Sequence, residues 1–139
     1  MKKILLDTNV IIDIALEREP FVKKSVELLR LINKQNIKAF VTATTVTDIY
    51  YITQKKTGHD KTIEFLKNLF EYIKIAGVDT VSILNALNSD MKDFEDAVQT
   101  ETAKQFDIHA IVTRNKKDFE NSNLKVFSPD EYINELKKE

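Results

Sequence analysis

The sequence of 139 residues has no cysteine, which excludes disulfide bonds, zinc–thiolate sites and cysteine nucleophiles. It has only two histidines, His59 and His109, so a zinc site would find few of its usual ligands. No apolar run approaches the length of a membrane span, and no secretory signal is recognisable after the basic start, so we expect a cytoplasmic protein. The net charge of −1 provides no overall field for nucleic acid, and any such binding would need a local basic patch.

Glycine and proline are also scarce, with two of each, and short apolar runs alternate with amphipathic helical patterns. The predicted strands are 4–6, 38–42, 72–76, 110–113 and 125–127. Helices are predicted to begin at or near Asn9, Phe21, Thr44, Asp60, Thr80, Asp93 and Pro129. This alternation predicts an α/β fold in which helices flank a parallel sheet, and the length fits a single domain over residues 1–139.

The first strand ends at an acid, Asp7, and a helical pattern begins almost at once. An acid at the carboxyl end of a central strand lies where open α/β sheets bind their ligands. Asp7 and Thr8 are also good N-cap residues, so capping of the next helix would explain them equally well. The choice between these interpretations depends on whether other carboxylates return to the same edge of the sheet.

Three further acids occur after predicted strands: Asp48, Asp96 and Asp118. Each has a simpler explanation when taken alone. Asp48 suits a solvated helix face, Asp93 and Asp96 suit a capped helix start, and Asp118 suits a polar loop before a buried Phe119. Together, however, all of these segments start from the carboxyl edge of the sheet. Four carboxylates in one cleft would raise each other's pKa unless a cation neutralised them, and Mg²⁺ or Mn²⁺ prefers such oxygen ligands.

Four segments in this order resemble PIN-domain proteins, and within that group the small VapC-like toxins. They are LDTN at residues 6–9, TTVTDIYY at 44–51, DFEDAVQ at 93–99 and VTRNKKDF at 112–119. The resemblance covers nearly the whole chain and is carried by the combination. It implies a three-layer α/β/α sandwich with the strand order 3-2-1-4-5. It also implies a metal-dependent endoribonuclease that hydrolyses RNA phosphodiester bonds.

By position, the family's catalytic acids fall on Asp7, Asp48, Asp96 and Asp118. We expect Asp7, Asp96 and Asp118 to hold Mg²⁺ or Mn²⁺, which would activate a water for phosphodiester hydrolysis. The second acid is usually Glu in this family, so the shorter Asp48 is expected to act through a bridging water.

The resemblance also assigns supporting and binding residues. Asn9, Thr113 and Asn115 occupy positions that commonly support the metal-bound water, and Asp93 is an optional acid for a second metal. The neighbouring cations are expected to contact RNA phosphates: Arg114, Lys116 and Lys117.

For a toxin, the resemblance implies a small antitoxin protein that covers the acids. A homodimer surface is expected on the helices that begin at Phe21 and Thr44, although their apolar faces would serve the domain core equally well.

Two other acid-bearing α/β classes fit the sequence less well. A response-regulator receiver domain needs paired acids after the first strand and an Asp after the third, where this chain has Ala76 and Gly77. A haloacid-dehalogenase phosphatase needs Asp-x-Asp, whereas residue 9 is Asn9. The serious alternative is a PIN-like domain that binds RNA or protein without catalysis.

Overall fold

A computed structural model of the chain describes residues 2–138, in which five short strands form one parallel sheet. The strands are β1 (Lys3–Leu6), β2 (Lys38–Thr42), β3 (Lys74–Ala76), β4 (Ala110–Val112) and β5 (Lys125–Phe127). Their order across the sheet is β3-β2-β1-β4-β5, and every neighbouring pair is parallel. The strand order and the α/β fold class expected from the sequence are therefore confirmed.

Of the seven α-helices within the described residues, six lie between strands and the last follows β5, and together they cover both faces of the sheet. They are α1 (Thr8–Ala15), α2 (Val22–Lys34), α3 (Ala43–Thr57), α4 (His59–Leu69), α5 (Thr80–Leu87), α6 (Phe94–Gln105) and α7 (Pro129–Lys137). Apolar side chains of α1, α2, α3, α4 and α7 share one core cluster. Those of α6 pack on the opposite face, and α5 packs against α6. None of these helices is long and apolar enough to cross a membrane.

The central strand β1 shows why the sheet must be covered on both sides. Ile4 and Leu6 belong to one core cluster, whereas Leu5 between them belongs to the other, and all three are buried. Because successive side chains of a strand point to opposite faces, a continuous apolar run is stable only between two helical layers.

Most predicted boundaries agree with the structure to within a residue or two, and two segments differ more clearly. The third strand is shorter than predicted, because the backbone N–H groups of Tyr72 and Ile73 donate to the carbonyl of Leu69 and close α4. Residues 116–119 form a short 3₁₀ helix where a loop was expected, and Phe119 returns to the core as predicted, with 0% of its surface exposed.

The hydrogen-bond ladder of the sheet continues one residue beyond two of its strands. The Asp7 N–H donates to the carbonyl of Val112 (3.0 Å), and the Thr113 N–H donates to that of Phe127 (2.8 Å). These bonds hold the backbones of Asp7 and Thr113 at the carboxyl edge of the sheet, next to each other.

We expect Phe119→Ala to lower the free energy of unfolding by about 3–5 kcal/mol, the usual cost of deleting a buried aromatic ring. Urea denaturation would measure it. Tyr72→Ala is the matched control, since that ring is 52% exposed and should cost far less. Equal losses in the two variants would show that Phe119 does not anchor the turn that precedes it.

Candidate active site

Six carboxylates line one pocket of about 360 Å³ at the carboxyl edge of the sheet. They are Asp7, Asp48, Asp93, Glu95, Asp96 and Asp118. We call this the acid pocket. Its remaining lining residues are Thr8, Asn9, Ile12, Ile52, Gln99 and Asn115. The structure thus brings together the four acids singled out in the sequence, with Asn9, Asp93 and Asn115 beside them.

Asp7 lies at the base of the pocket and is held by three donors. Its Oδ1 accepts from the N–H of Thr8 (2.8 Å) and from Nε2 of Gln99 (3.2 Å), and its Oδ2 accepts from Oγ1 of Thr113 (2.8 Å). The residue is only 6% exposed, so these bonds compensate for the loss of water around its carboxylate. Asp7 also occupies the N-cap position of α1, and the capping interpretation and the pocket interpretation therefore both describe it.

Gln99 is a pocket residue that the sequence did not single out. It lies on α6, one turn after Asp96, and is 2% exposed. Its Nε2 donates to Asp7, while its Oε1 is buried without a hydrogen-bond partner among the described residues. The spacing of three residues from Asp96 places both side chains on one side of α6, which is the signal that could have identified it.

The surroundings of Asp96 disfavour its charged form. Burial raises its pKa from 3.8 to about 7, with further contributions from the negative charges of Asp93, Asp7 and Asp118. Asp93 is the N-cap of α6, where its Oδ1 accepts from the N–H of Asp96 (2.9 Å). The capping role considered for Asp93 is therefore present, in addition to its place in the pocket lining.

Glu95 is the second pocket residue that the sequence did not single out. The pKa of Glu95 is raised from 4.5 to about 8, first by hydrogen bonding between its side chain and Asp48, then by partial burial and by the charges of Asp48, Asp93 and Asp96. Glu95 is therefore largely protonated near neutral pH.

The predicted RNA-binding cations lie in three different environments. Arg114 forms a two-point ion pair with Asp13 and is partly buried. Lys116 forms an exposed ion pair with Glu131 of α7 (2.9 Å). Lys117 is exposed and makes no ion pair with residues 2–138. Contact of these three residues with RNA remains a prediction.

The donors of the acid pocket suit a hard divalent cation. They are carboxylate and amide oxygens, and the raised pKa values of Asp96 and Glu95 show that a positive charge would relieve their repulsion. Within residues 2–138, no three His, Cys, Asp or Glu side chains are arranged so that they could hold a metal ion. Mg²⁺ is usually bound through only one or two carboxylates, with waters and substrate phosphates completing its octahedron. The residues present fit that mode of binding, and the three direct ligands expected from the sequence remain a prediction.

Comparison with known proteins agrees with this arrangement. The family model described as PIN domain matches residues 3–117, and the chain therefore belongs to the PIN-domain family. A curated relative, Ribonuclease VapC1 of Aquifex aeolicus (strain VF5), is 27% identical over 135 residues, which cover 94% of this chain and 93% of the relative.

Solved structures with the same fold include VapBC2 from Rickettsia felis bound to a DNA fragment from its promoter. That match has a TM-score of 0.70 and 15% identity, and covers 91% of this chain and 98% of the other. A toxin–antitoxin complex from Klebsiella pneumoniae matches with a TM-score of 0.67 and 19% identity, covering 90% of this chain and 96% of that chain. At these identities the two structures establish the shared fold.

The raised pKa of Asp96 makes the stability of the metal-free protein depend on pH. An acid whose pKa is higher in the folded state stabilises the fold fully below its unfolded pKa of 3.8, and this contribution is lost as pH rises through about 7. Asp96→Asn removes the charge. In EDTA at pH ~8 we expect the variant to be more stable than the wild type by about 1 kcal/mol in the free energy of unfolding, after allowing for solvent screening. That gain corresponds to a melting temperature roughly 3–6 °C higher. The difference should shrink toward pH ~4, and a difference independent of pH would contradict this assignment.

Thr113→Val tests the bond from the hydroxyl of Thr113 to Asp7. The change keeps the shape of the side chain but leaves a buried carboxylate oxygen without its donor, and it also removes the acceptor of the Asn115 N–H (2.9 Å). We expect a loss of about 1.5–3 kcal/mol in urea denaturation, since the bond is to a charged group. Thr47→Val is the matched control, because Thr47 is exposed. A loss at Thr113 no greater than that at Thr47 would contradict the role of this bond.

Proposed function

We propose that this protein is a divalent-metal-dependent endoribonuclease that acts as the toxin of a toxin–antitoxin pair. The observation that carries the proposal is the acid pocket. Carboxylates from the β1–α1 junction, α3, the start of α6 and the 3₁₀ turn line one cavity at the carboxyl edge of a PIN-domain sheet. Support for RNA as the substrate comes from the relative named Ribonuclease VapC1, which spans almost the same length.

Hydrolysis of a phosphodiester requires attack of water on phosphorus and departure of the bridging oxygen. A divalent cation in the acid pocket would lower the pKa of a bound water and draw charge from the phosphate. Asp7 and Asp96 are the proposed direct ligands. Asp7 is already fixed by its three donors, and Asp96 would give up its proton when the cation binds.

Asp48, Glu95 and Asp118 are proposed to act at longer range. All three line the same pocket, and the raised pKa of Glu95 limits the negative charge that a phosphate would meet on approach. We propose that they orient the waters of the cation, as groups outside the direct ligand set commonly do. Lys117 and Lys116 follow the pocket residue Asn115 and are proposed to contact RNA phosphates.

The proposed partner is a small antitoxin protein, because solved relatives of this fold occur in toxin–antitoxin complexes.

A homodimer is proposed as well. The buried faces of α2 and α3 pack into the domain's own core, so the dimer surface must use other residues of these or other helices. Val81, Leu84 and Leu87 on α5 are half-exposed or more and are available for it. As a toxin acting on cellular RNA, the protein would act in the cytoplasm.

The decisive variant is Asp96→Asn, which keeps the size of the side chain and removes its charge. We expect cleavage of a mixed tRNA and mRNA panel in Mg²⁺ or Mn²⁺ to fall by more than about 100-fold, beyond the loss usual for a supporting residue. EDTA should abolish wild-type cleavage. Asp60→Asn is the matched control, since Asp60 is an exposed acid in the first turn of α4 and is absent from the pocket lining.

The same assay separates catalysis from binding alone. A nuclease loses cleavage in Asp96→Asn while the thermal unfolding transition persists. A PIN-like domain that only binds RNA or protein shows no cleavage by the wild type under any metal. Cleavage by Asp96→Asn at the wild-type rate would remove Asp96 from the site.

A further inference from the structure

An ion pair with a fully buried carboxylate lies next in sequence to residues of the acid pocket. Asp13 is on α1, in an otherwise apolar run, and its side chain is 0% exposed. Nε of Arg114 donates to its Oδ2 (2.6 Å), and Nη2 of Arg114 donates to its Oδ1 (3.1 Å). This fork-to-fork arrangement fixes the orientation as well as the distance of the two groups.

The surroundings of Arg114 hold it in this position. Its guanidinium carbon lies 3.9 Å from the centre of the Phe21 ring, a cation–π contact at the start of α2. The Arg114 side chain is 23% exposed. Two of its nitrogens are committed to Asp13 and one face to Phe21, which leaves little of the group for RNA.

The position of Arg114 in the chain connects this pair to the pocket. Arg114 is preceded by Thr113, whose hydroxyl donates to Asp7, and followed by Asn115, which lines the acid pocket. The Asn115 N–H donates to the hydroxyl of Thr113 (2.9 Å). Residues 113–115 therefore contact the pocket on one side and α1 on the other.

We infer that the Asp13–Arg114 pair is a positioning device for the acid pocket. It holds residues 113–115 against α1, so that Thr113 stays within hydrogen-bond distance of Asp7. Arg18 also lies near this carboxylate, with its Nη1 at 4.0 Å from Oδ1 of Asp13, but among the described residues only Arg114 makes hydrogen bonds to it. A shift of the segment would therefore break both hydrogen bonds of a carboxylate that has no contact with water. Since a misplacement of about 1 Å can cost roughly 100-fold in rate, such a fixed position matters for catalysis. The catalytic part of this inference rests on the proposed function.

The variant to test is the double substitution Asp13→Leu/Arg114→Met. Removing one partner leaves a buried charge unpaired and risks unfolding, whereas replacing a buried ion pair by apolar side chains commonly preserves stability. We expect the double variant to melt close to the wild type. Its kcat for RNA should fall by at least about 10-fold, as for other groups that orient a site, while KM stays within about twofold.

A second readout does not depend on activity. The N–H groups of Asn115 and Asp118 bond within this turn, so their hydrogen exchange should become about 10-fold faster in the double variant. The amides of α4 should exchange as in the wild type. The matched control is Glu27→Gln/Lys137→Gln, which removes an ion pair between α2 and α7 (3.1 Å) and should change neither exchange in the turn nor kcat.

The outcomes are distinct. Wild-type exchange and kcat in a stably folded double variant would overturn the inference. A rise in KM with Arg114→Lys, absent with Asp13→Asn, would overturn it in favour of direct RNA contact by Arg114. If the wild type cleaves no RNA, the proposed nuclease function fails, and hydrogen exchange alone decides whether the pair positions the turn.

Discussion

The candidate site depends on the way the Asp7 carboxylate is held. Its three donors come from α1, from α6 and from the residue after β4, so one side chain connects three parts of the fold. The backbone adds a fourth connection, because the Asp7 N–H extends the ladder between β1 and β4. A buried carboxylate is tolerated only with such partners, and the partners are in turn fixed by it.

Around Asp7 lie acids that make no ion pair with a lysine or arginine of the described residues. The pKa of Asp96 is raised by burial and by neighbouring acids, and that of Glu95 by its hydrogen bond with Asp48, by partial burial and by the same acids. Structural carboxylates are normally paired with cations, as Asp13 is with Arg114. Asp13, outside the pocket lining, is paired with a cation, whereas Asp96 and Glu95 in the pocket have no such partner within residues 2–138. This contrast is typical of a site that binds a cation from solution.

The sequence predicted the parts of this site that topology determines. Asp7 and Thr113 lie at the ends of parallel strands, and parallel strands end at one edge, so the strand pattern alone places both residues at that edge. Asp48 lies on α3 and Asp96 on α6, and both helices place their acid in the same pocket. The resemblance to PIN domains supplied the strand order, which periodicity cannot give.

The sequence did not predict which groups the side chains around the pocket contact. RNA contact by Arg114 was predicted because the residue lies among cations in a loop, but the sequence did not show its ion pair with Asp13, which is 101 residues away in the chain. The apolar run around Asp13 indicated that this acid must be paired, because a buried charge needs a partner. It did not indicate which residue the partner is. Gln99 and Glu95 were missed because both are polar residues of a helix. The spacing of Gln99 from Asp96 indicated a shared side of α6, but the packing of that helix is what shows that both residues reach the pocket.

The most direct measurement of the central claim is anomalous diffraction from crystals of the wild-type protein grown with Mn²⁺. The account predicts a peak within the acid pocket, with Asp7 and Asp96 oxygens among its direct ligands. A pocket without a peak, or Mn²⁺ bound only at other surface acids, would contradict it.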